Sequence, residues 1–397
     1  MDLPAILGGT PAAVLPERDG TEVTASEAAA VQRCLDQTPL TTLFGGHEIG
    51  QFEDAFARRM GSPHAVAVSS GTTALNAALV AAGVRPGDEV IVTPFSFVAS
   101  VSVVLQAGAR PVFADIHPDT FTLDPADVAR RITSRTKAIL PVHICGYPAD
   151  MEALNALARE HGLVVVEDCA AAHGARVGDQ HVGTLGDFGC FSFNIGKVLR
   201  TGEGGMVLTS DPEAAHALRE LRVNGISQNP APNGIARFGF NYSMAQPLAA
   251  IGVEQVGRLD EVLAARASAG RRFAEGVTRR GLFTPPDLPD RKRVHYFTPF
   301  LLPEALAPHR EALYRALVAE GVPASKSCPE PLYRIGYLRP YAPNPGLPVA
   351  EDVCRRVIAV DPRPTYNDAT MDSILHSLDK VLAHADEIAR AGREVAA

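Results

Sequence analysis

Two stretches decide how this chain reads: Leu163-Val164-Val165-Val166-Glu167-Asp168, and Cys190-Phe191-Ser192-Phe193-Asn194-Ile195-Gly196-Lys197, which runs on into Gly202-Glu203-Gly204-Gly205. The first is a short β-branched run, as expected of a strand buried on both faces, and it ends in two carboxylates. The second ends at a lysine just before a glycine-rich turn. An acid after a strand is by itself often only a helix cap. A lysine beside a tight turn is most often a solvated surface residue. Their meaning comes from the segments around them.

Outward from that pair, short apolar runs alternate with helix-length segments. Ala65 to Val68, Glu89 to Val92, Pro111 to Phe113, Ala138 to Val142, Leu163 to Val166, Phe188 to Phe193 and Met206 to Leu208 read as strands. Thr73 to Ala82, Pro125 to Ile132 and Met151 to His161 read as helices between them. Strand and helix in repeated alternation imply an α/β fold with a mostly parallel sheet covered on both faces. Ligands in such folds gather at the carboxyl ends of the strands, where Asp168 and Ser69-Ser70-Gly71-Thr72-Thr73 both fall. Beyond about Ile251 the character changes. A helical stretch around Val253 to Thr278 leads through proline-rich Pro285 to Pro289 to a strand at Tyr296 to Leu302. Helices near Arg310 to Glu320 and Asn367 to Leu382 follow, and the tail after Ala383 is helical or frayed. The expected organisation is an amino-terminal arm (1–25), a large domain (26–255) and a smaller α+β carboxyl-terminal domain (256–397).

The chain has 397 residues, 46% of them hydrophobic and 21% charged, with a net charge of -8 and no basic run. A dedicated nucleic-acid or anionic-membrane surface is therefore not expected. No stretch is apolar enough to span a bilayer, and Met1-Asp2-Leu3-Pro4 opens no positively charged leader, so the reading is cytoplasmic. The six cysteines are scattered without a C-x-x-C pair and read as buried thiols. His143 with Cys145, and Cys169 with His173, fit no familiar ligand spacing, so no metal is expected.

Ser69 to Thr73 follows a strand and opens a helix, where uncapped amides and the positive end of the helix dipole suit a phosphate. Two other phosphate motifs fail: Gly196-Lys197 is followed by Val198 and lacks the P-loop's earlier glycine, and Gly202 to Gly205 is no dinucleotide fingerprint. No G-x-S-x-G elbow occurs either. A phosphate site joined to a lysine and to a carboxylate at a strand end meets the needs of pyridoxal 5'-phosphate. The amine forms the Schiff base, and the carboxylate keeps the pyridine nitrogen protonated so that the ring accepts electrons.

In order, Ser70-Gly71-Thr72, Pro86-Gly87-Asp88-Glu89-Val90-Ile91, Glu167-Asp168, His173-Gly174-Ala175, Phe191-Ser192-Phe193, Lys197, Gly202 to Gly205 and Gly239-Phe240-Asn241-Tyr242 resemble the DegT/DnrJ/EryC1/StrS family of pyridoxal-phosphate-dependent aminotransferases over nearly the whole chain. The resemblance implies a fold type I transferase with a mostly parallel seven-stranded sheet. It also implies a homodimer with shared active sites, and transfer of an amino group from an amino acid such as glutamine or glutamate to a keto sugar or ketocyclitol. By the same resemblance, Lys197 is the Schiff-base lysine and Asp168 the partner of the pyridinium, and Phe97 stacks on the ring. Ser192 and the amides of Gly71, Thr72 and Thr73 hold the phosphate, and Asn241 reaches it from the neighbouring subunit.

Three positions depart from the family's pattern. Ala171 stands where many relatives carry a glutamine, Ser243 replaces an arginine, and Gln246 an acid. Gly321 to Ala324 and Pro331-Leu332-Tyr333 resemble members acting on inosose-type cyclitols. Phe191 to Lys197 also resembles the amino-hydroxybenzoate synthases, which leaves a dehydratase or lyase as the alternative enzyme. A catalytically silent regulatory relative is a further alternative, disfavoured by the retained Lys197 and Asp168.

Overall fold

The computed structural model describes residues 2–37, 39–40, 46–227, 234–342 and 346–394. The apolar runs form one sheet of seven strands: β1 (His64–Val68), β2 (Glu89–Val92), β3 (Arg110–Phe113), β4 (Thr136–Leu140), β5 (Val164–Asp168), β6 (Phe188–Ser192) and β7 (Gly205–Thr209). Their order is β1-β7-β6-β5-β4-β2-β3. β7 runs antiparallel to both its neighbours and the other pairings are parallel. All seven expected strands lie in this sheet.

Side chains two apart on a strand share a face, and this sorts the core. Val66, Val68, Val90, Leu140, Val166 and Val207 pack with Leu75 and Leu79 of the helix Gly71–Ala81. Ala65, Ala67, Phe191, Phe193, Met206 and Leu208 face the other way, onto Phe52 and Phe56 of the helix His47–Met60. The sheet is thus dry on both sides. The helix Met151–His161 matches its expected bounds, with Asp150 capping it by accepting the Ala153 amide at 3.2 Å. The helix Ala99–Gln106 is absent from the sequence reading. It is short, lacks a capping side chain and buries Ser100 as well as its valines, so no polar stripe marks it.

Beyond the large sheet, Thr298–Leu301, Val357–Val360 and Ala324–Ser325 form a small antiparallel sheet with Val357–Val360 in the middle. It packs with the helices Leu259–Arg279, Arg310–Ala319 and Asp368–Ala383. The helix expected around Val253 to Thr278 is two helices, Gln246–Gly257 and Leu259–Arg279, meeting at Arg258. The tail after Ala383 contains the helix Ala385–Glu394, and its last three residues lie outside the described residues. The amino-terminal segment is fastened to this unit. Ala5 and Ala12 amides donate to the buried Glu320 carboxylate at 2.6 and 2.9 Å, and Lys380 donates to Glu320 and to the Thr10 carbonyl. No described helix is long and apolar enough to cross a membrane.

Candidate active site

β5 and β6 are parallel neighbours with Asp168 opposite Cys190, so both chains leave the sheet at the same edge. That register puts Asp168 and the loop carrying Lys197 side by side. Glu167 anchors the end of β5. Fully buried, it accepts the amides of Gly183, Leu185 and Gly186 at 2.7 to 2.8 Å and lies 2.9 Å from His143 Nε2. His143 Nδ1 accepts the Ala149 amide, which makes Nε2 the protonated nitrogen that donates to Glu167. His143, Glu167 and Cys169 bring ligand atoms within 4.8 Å of one another. With both imidazole nitrogens engaged and the carboxylate taking four donors, this trio buttresses the strand.

Asp168 is buried, and both its oxygens are held: Oδ2 accepts the Ser100 hydroxyl at 2.8 Å and Oδ1 the Ala170 amide at 3.1 Å. It lines a cavity of about 450 Å³ together with Lys197, Phe97, Ala171, Tyr296 and Ser325. The Lys197 amide donates to the Asn194 carbonyl at 2.9 Å, and its Nζ sits 4.9 Å from the centre of the Tyr296 ring. Burial pushes the Lys197 ammonium below the usual lysine range, against the nearby Asp168 charge, which pulls it up. Burial likewise pushes the Tyr296 phenol up to about 12 and the Cys145 thiol up to about 12, so both stay protonated beside the lysine.

The start of the helix Gly71–Ala81 forms a second part of the site. Ser70 caps it and closes a capping box with Thr73, so the Thr73 amide is held by Ser70 Oγ at 3.1 Å. Among the described residues the Gly71 and Thr72 amides have no acceptor, leaving two aligned donors at the positive helix end. Glycine at 71 is a steric need: a Cβ there would stand 2.5 Å from Ser192 Cβ. The same closeness brings Ser192, at the end of β6, against the helix start.

Phe97 is 74% exposed at the cavity. Asn241 does not line this cavity. Its side chain is exposed, while the next carbonyl, that of Tyr242, accepts the Ser69 amide at 2.8 Å and holds the Asn241 loop beside the phosphate-type helix start. Of the departures, Ala171 lines the cavity. Gln246 is buried and accepts the amides of Glu48 and Ile49 at 3.0 and 3.1 Å, capping the helix His47–Met60.

Ser100 and Tyr296 were missed from the sequence. Ser96 and Ser100 are 3.0 Å apart, but Ser96 stands before the helix Ala99–Gln106, so no helical spacing marks the pair in the sequence. Tyr296 comes from the far side of the chain and carries no local signal.

The sequence pattern of the DegT/DnrJ/EryC1/StrS aminotransferase family matches residues 21–379. The chain is 37% identical over 385 residues to GDP-perosamine synthase of Caulobacter vibrioides, covering 96% of this chain and 99% of that one. It is 37% identical over 325 residues to a putative L-glutamine:3-amino-2,3-dideoxy-scyllo-inosose aminotransferase of Streptoalloteichus tenebrarius, covering 80% and 78%. The crystal structure of S. venezuelae DesV superposes with a TM-score of 0.83 at 35% identity, covering 90% and 94%. With this agreement along nearly its full length, the chain belongs to the DegT/DnrJ/EryC1/StrS aminotransferase family.

Proposed function

We propose that this enzyme uses pyridoxal 5'-phosphate to move an amino group from glutamine or glutamate to the carbonyl of a keto sugar or ketocyclitol. The observation that carries this is the Lys197 amine and the Asp168 carboxylate on one cavity wall, with two unengaged helix amides beside Ser192 at the same sheet edge. These residues fit the cofactor: an amine for its aldehyde, a buried anion for its ring nitrogen, and amides plus a hydroxyl for its phosphate.

When bound, the cofactor supplies an aldehyde and a ring that delocalises an electron pair. Lys197, with its ammonium disfavoured by burial, is available as nucleophile and as the group that takes and returns a proton at the reacting carbon. Ser100 and the Ala170 amide hold the two Asp168 oxygens in place. Phe97 offers an aromatic face, and Gly71, Thr72 and Ser192 offer donors to a phosphate. The exposed Asn241 supports a homodimer in which it completes the partner's phosphate site. Two separate sheets, and a core cluster around the small one, support working units of arm 1–25, large domain 26–255 and small domain 256–397, with Cys328, Leu332 and Tyr333 of the last packing into the core of the large sheet.

The test is incubation of the cofactor-loaded enzyme with glutamine or glutamate and a panel of keto sugars and ketocyclitols, reading products by mass. Replacement of a carbonyl by an amino group is expected. Loss of water without gain of nitrogen would assign the dehydratase reading instead, and a purified protein that takes up no cofactor would assign the silent one.

A further inference from the structure

Arg200 stands three residues after Lys197, and it is buried. Its Nη2 and Nε donate to the backbone carbonyls of Gly20 and Thr21, at 2.5 and 3.1 Å. Buried arginine is rare unless paired, and here the partners are two carbonyls of the amino-terminal segment. That segment is itself held from the other side. The Asp19 carboxylate accepts the Thr21 amide and hydroxyl and pairs with Arg363 at 3.3 Å. Arg363 pairs with Asp361 and Asp361 with Arg266, at 2.5 and 2.6 Å. Arg266 then donates to the carbonyls of His295 and Tyr296, at 3.1 and 2.7 Å. Tyr296 is the ring under Lys197 Nζ.

The chain of bonds therefore leaves the Lys197 loop through Arg200, crosses residues 19–21, and returns to the opposite wall of the same cavity through Tyr296. Between Lys197 and Arg200, Val198 and Leu199 are buried in the core, and the Lys197 amide is tied to Asn194. Lys197 is fixed on its amino-terminal side by a local turn; on its carboxyl-terminal side the Thr201 amide donates to the Phe193 carbonyl at 2.8 Å and closes the loop on itself, while Arg200 ties the loop to the amino-terminal segment.

We propose that Arg200 is a positioning residue: clamped to the Gly20 and Thr21 carbonyls, it sets where the Lys197 amine stands relative to Tyr296 and Asp168, and so makes the amino-terminal segment part of the active-site frame. The proposal rests on the cofactor reading above. Its consequence is kinetic, because a misplaced amine slows the steps that need it without altering the groups that recognise donor or acceptor.

The test adds pyridoxal phosphate to cofactor-free protein and follows the rate at which its covalent visible band appears, alongside kcat, KM and the melting temperature. Arg200→Ala is expected to slow band formation and to lower kcat, each about 10-fold or more, with KM for the donor little changed. Arg200→Lys, which keeps a cation and one donor direction, should fall between; if the alanine variant is insoluble, the lysine variant decides by the same criterion. Glu320→Gln is the control, loosening the segment at residues 5–12 while Arg200 stays in place, and should lower melting without slowing the band. The inference is overturned if Arg200→Ala forms the band and turns over as the parent does while melting lower, for then Arg200 only fastens the segment. It is also overturned if Glu320→Gln slows the band as much as Arg200→Ala. A parent protein that forms no band overturns the cofactor reading itself, and this inference with it.

Discussion

Gly71→Ala tests the join between the helix start and the strand end that leads to Lys197. The added methyl would sit 2.5 Å from Ser192 Cβ, 3.0 Å from its Oγ and 3.1 Å from its Cα. Carbon atoms pack best at about 3.5 to 4.0 Å, so helix start and strand end must separate by about 1 Å. Neither yields easily, since Gly205 on the adjoining strand is packed as closely on the Ser70 carbonyl. Overpacking of this kind costs about 1–3 kcal/mol, offset by about 0.4–1 kcal/mol because alanine restricts the unfolded chain. A net loss of about 1–2 kcal/mol of stability follows. The same displacement pulls the Gly71 and Thr72 amides away from Ser192, and at 1.4 kcal/mol per decade a similar loss in binding weakens pyridoxal phosphate affinity about 10-fold. Denaturant unfolding and a cofactor titration measure the two effects. Gly50→Ala is the control: nothing lies within 4 Å of its added methyl, inside the helix His47–Met60, so it should stabilise by up to about 1 kcal/mol and leave binding alone. Native affinity and native stability in Gly71→Ala would refute the argument that this glycine sets the cradle.

Other outcomes follow from the same geometry. Lys197→Ala should lose the visible band and turnover, the latter by on the order of 10²–10⁴-fold, with the fold intact by circular dichroism; turnover with an unchanged band would remove the lysine from its role. Asp168→Asn should still take up cofactor yet lose most of its rate, and near-parental turnover would show that another acid serves the ring nitrogen. His173, between Phe191 and Phe193, is pushed down to about 3 by burial and by the Lys197 charge. Because its folded value lies below the ordinary 6.5, the unfolded chain takes the proton first. Stability is therefore full above about pH 6.5 and falls with pH toward 3, by at most about 1.4 kcal/mol per pH unit for one proton. His173→Phe should flatten the fall between pH 6 and 4 in denaturant unfolding, and an unchanged slope would exclude this histidine. Mixing Lys197→Ala with Asn241→Ala subunits should restore part of the activity, once exchange is shown and each parent variant is impaired. No recovery would mean that sites are not shared.

Much of this molecule was legible along the chain because its signals are local. β-branched runs broken by helical stretches set the parallel sheet, and a carboxylate at the end of one run set the edge where chemistry gathers. Ser70-Gly71-Thr72-Thr73 announced a capped helix start for the same reason, since caps depend on neighbours two or three residues away. Tertiary structure decided what local signals cannot carry. Ser100 meets Asp168 because two crossover connections land side by side, Tyr296 meets Lys197 because the segment just before the strand Thr298–Leu301 lines the same cavity, and Gln246 finds the start of the helix His47–Met60 from the far end of the large domain. The clamp of Arg200 on Gly20 and Thr21 is of the same kind: a buried guanidinium needs carbonyls, and only the folded chain supplies them from a segment so distant in sequence.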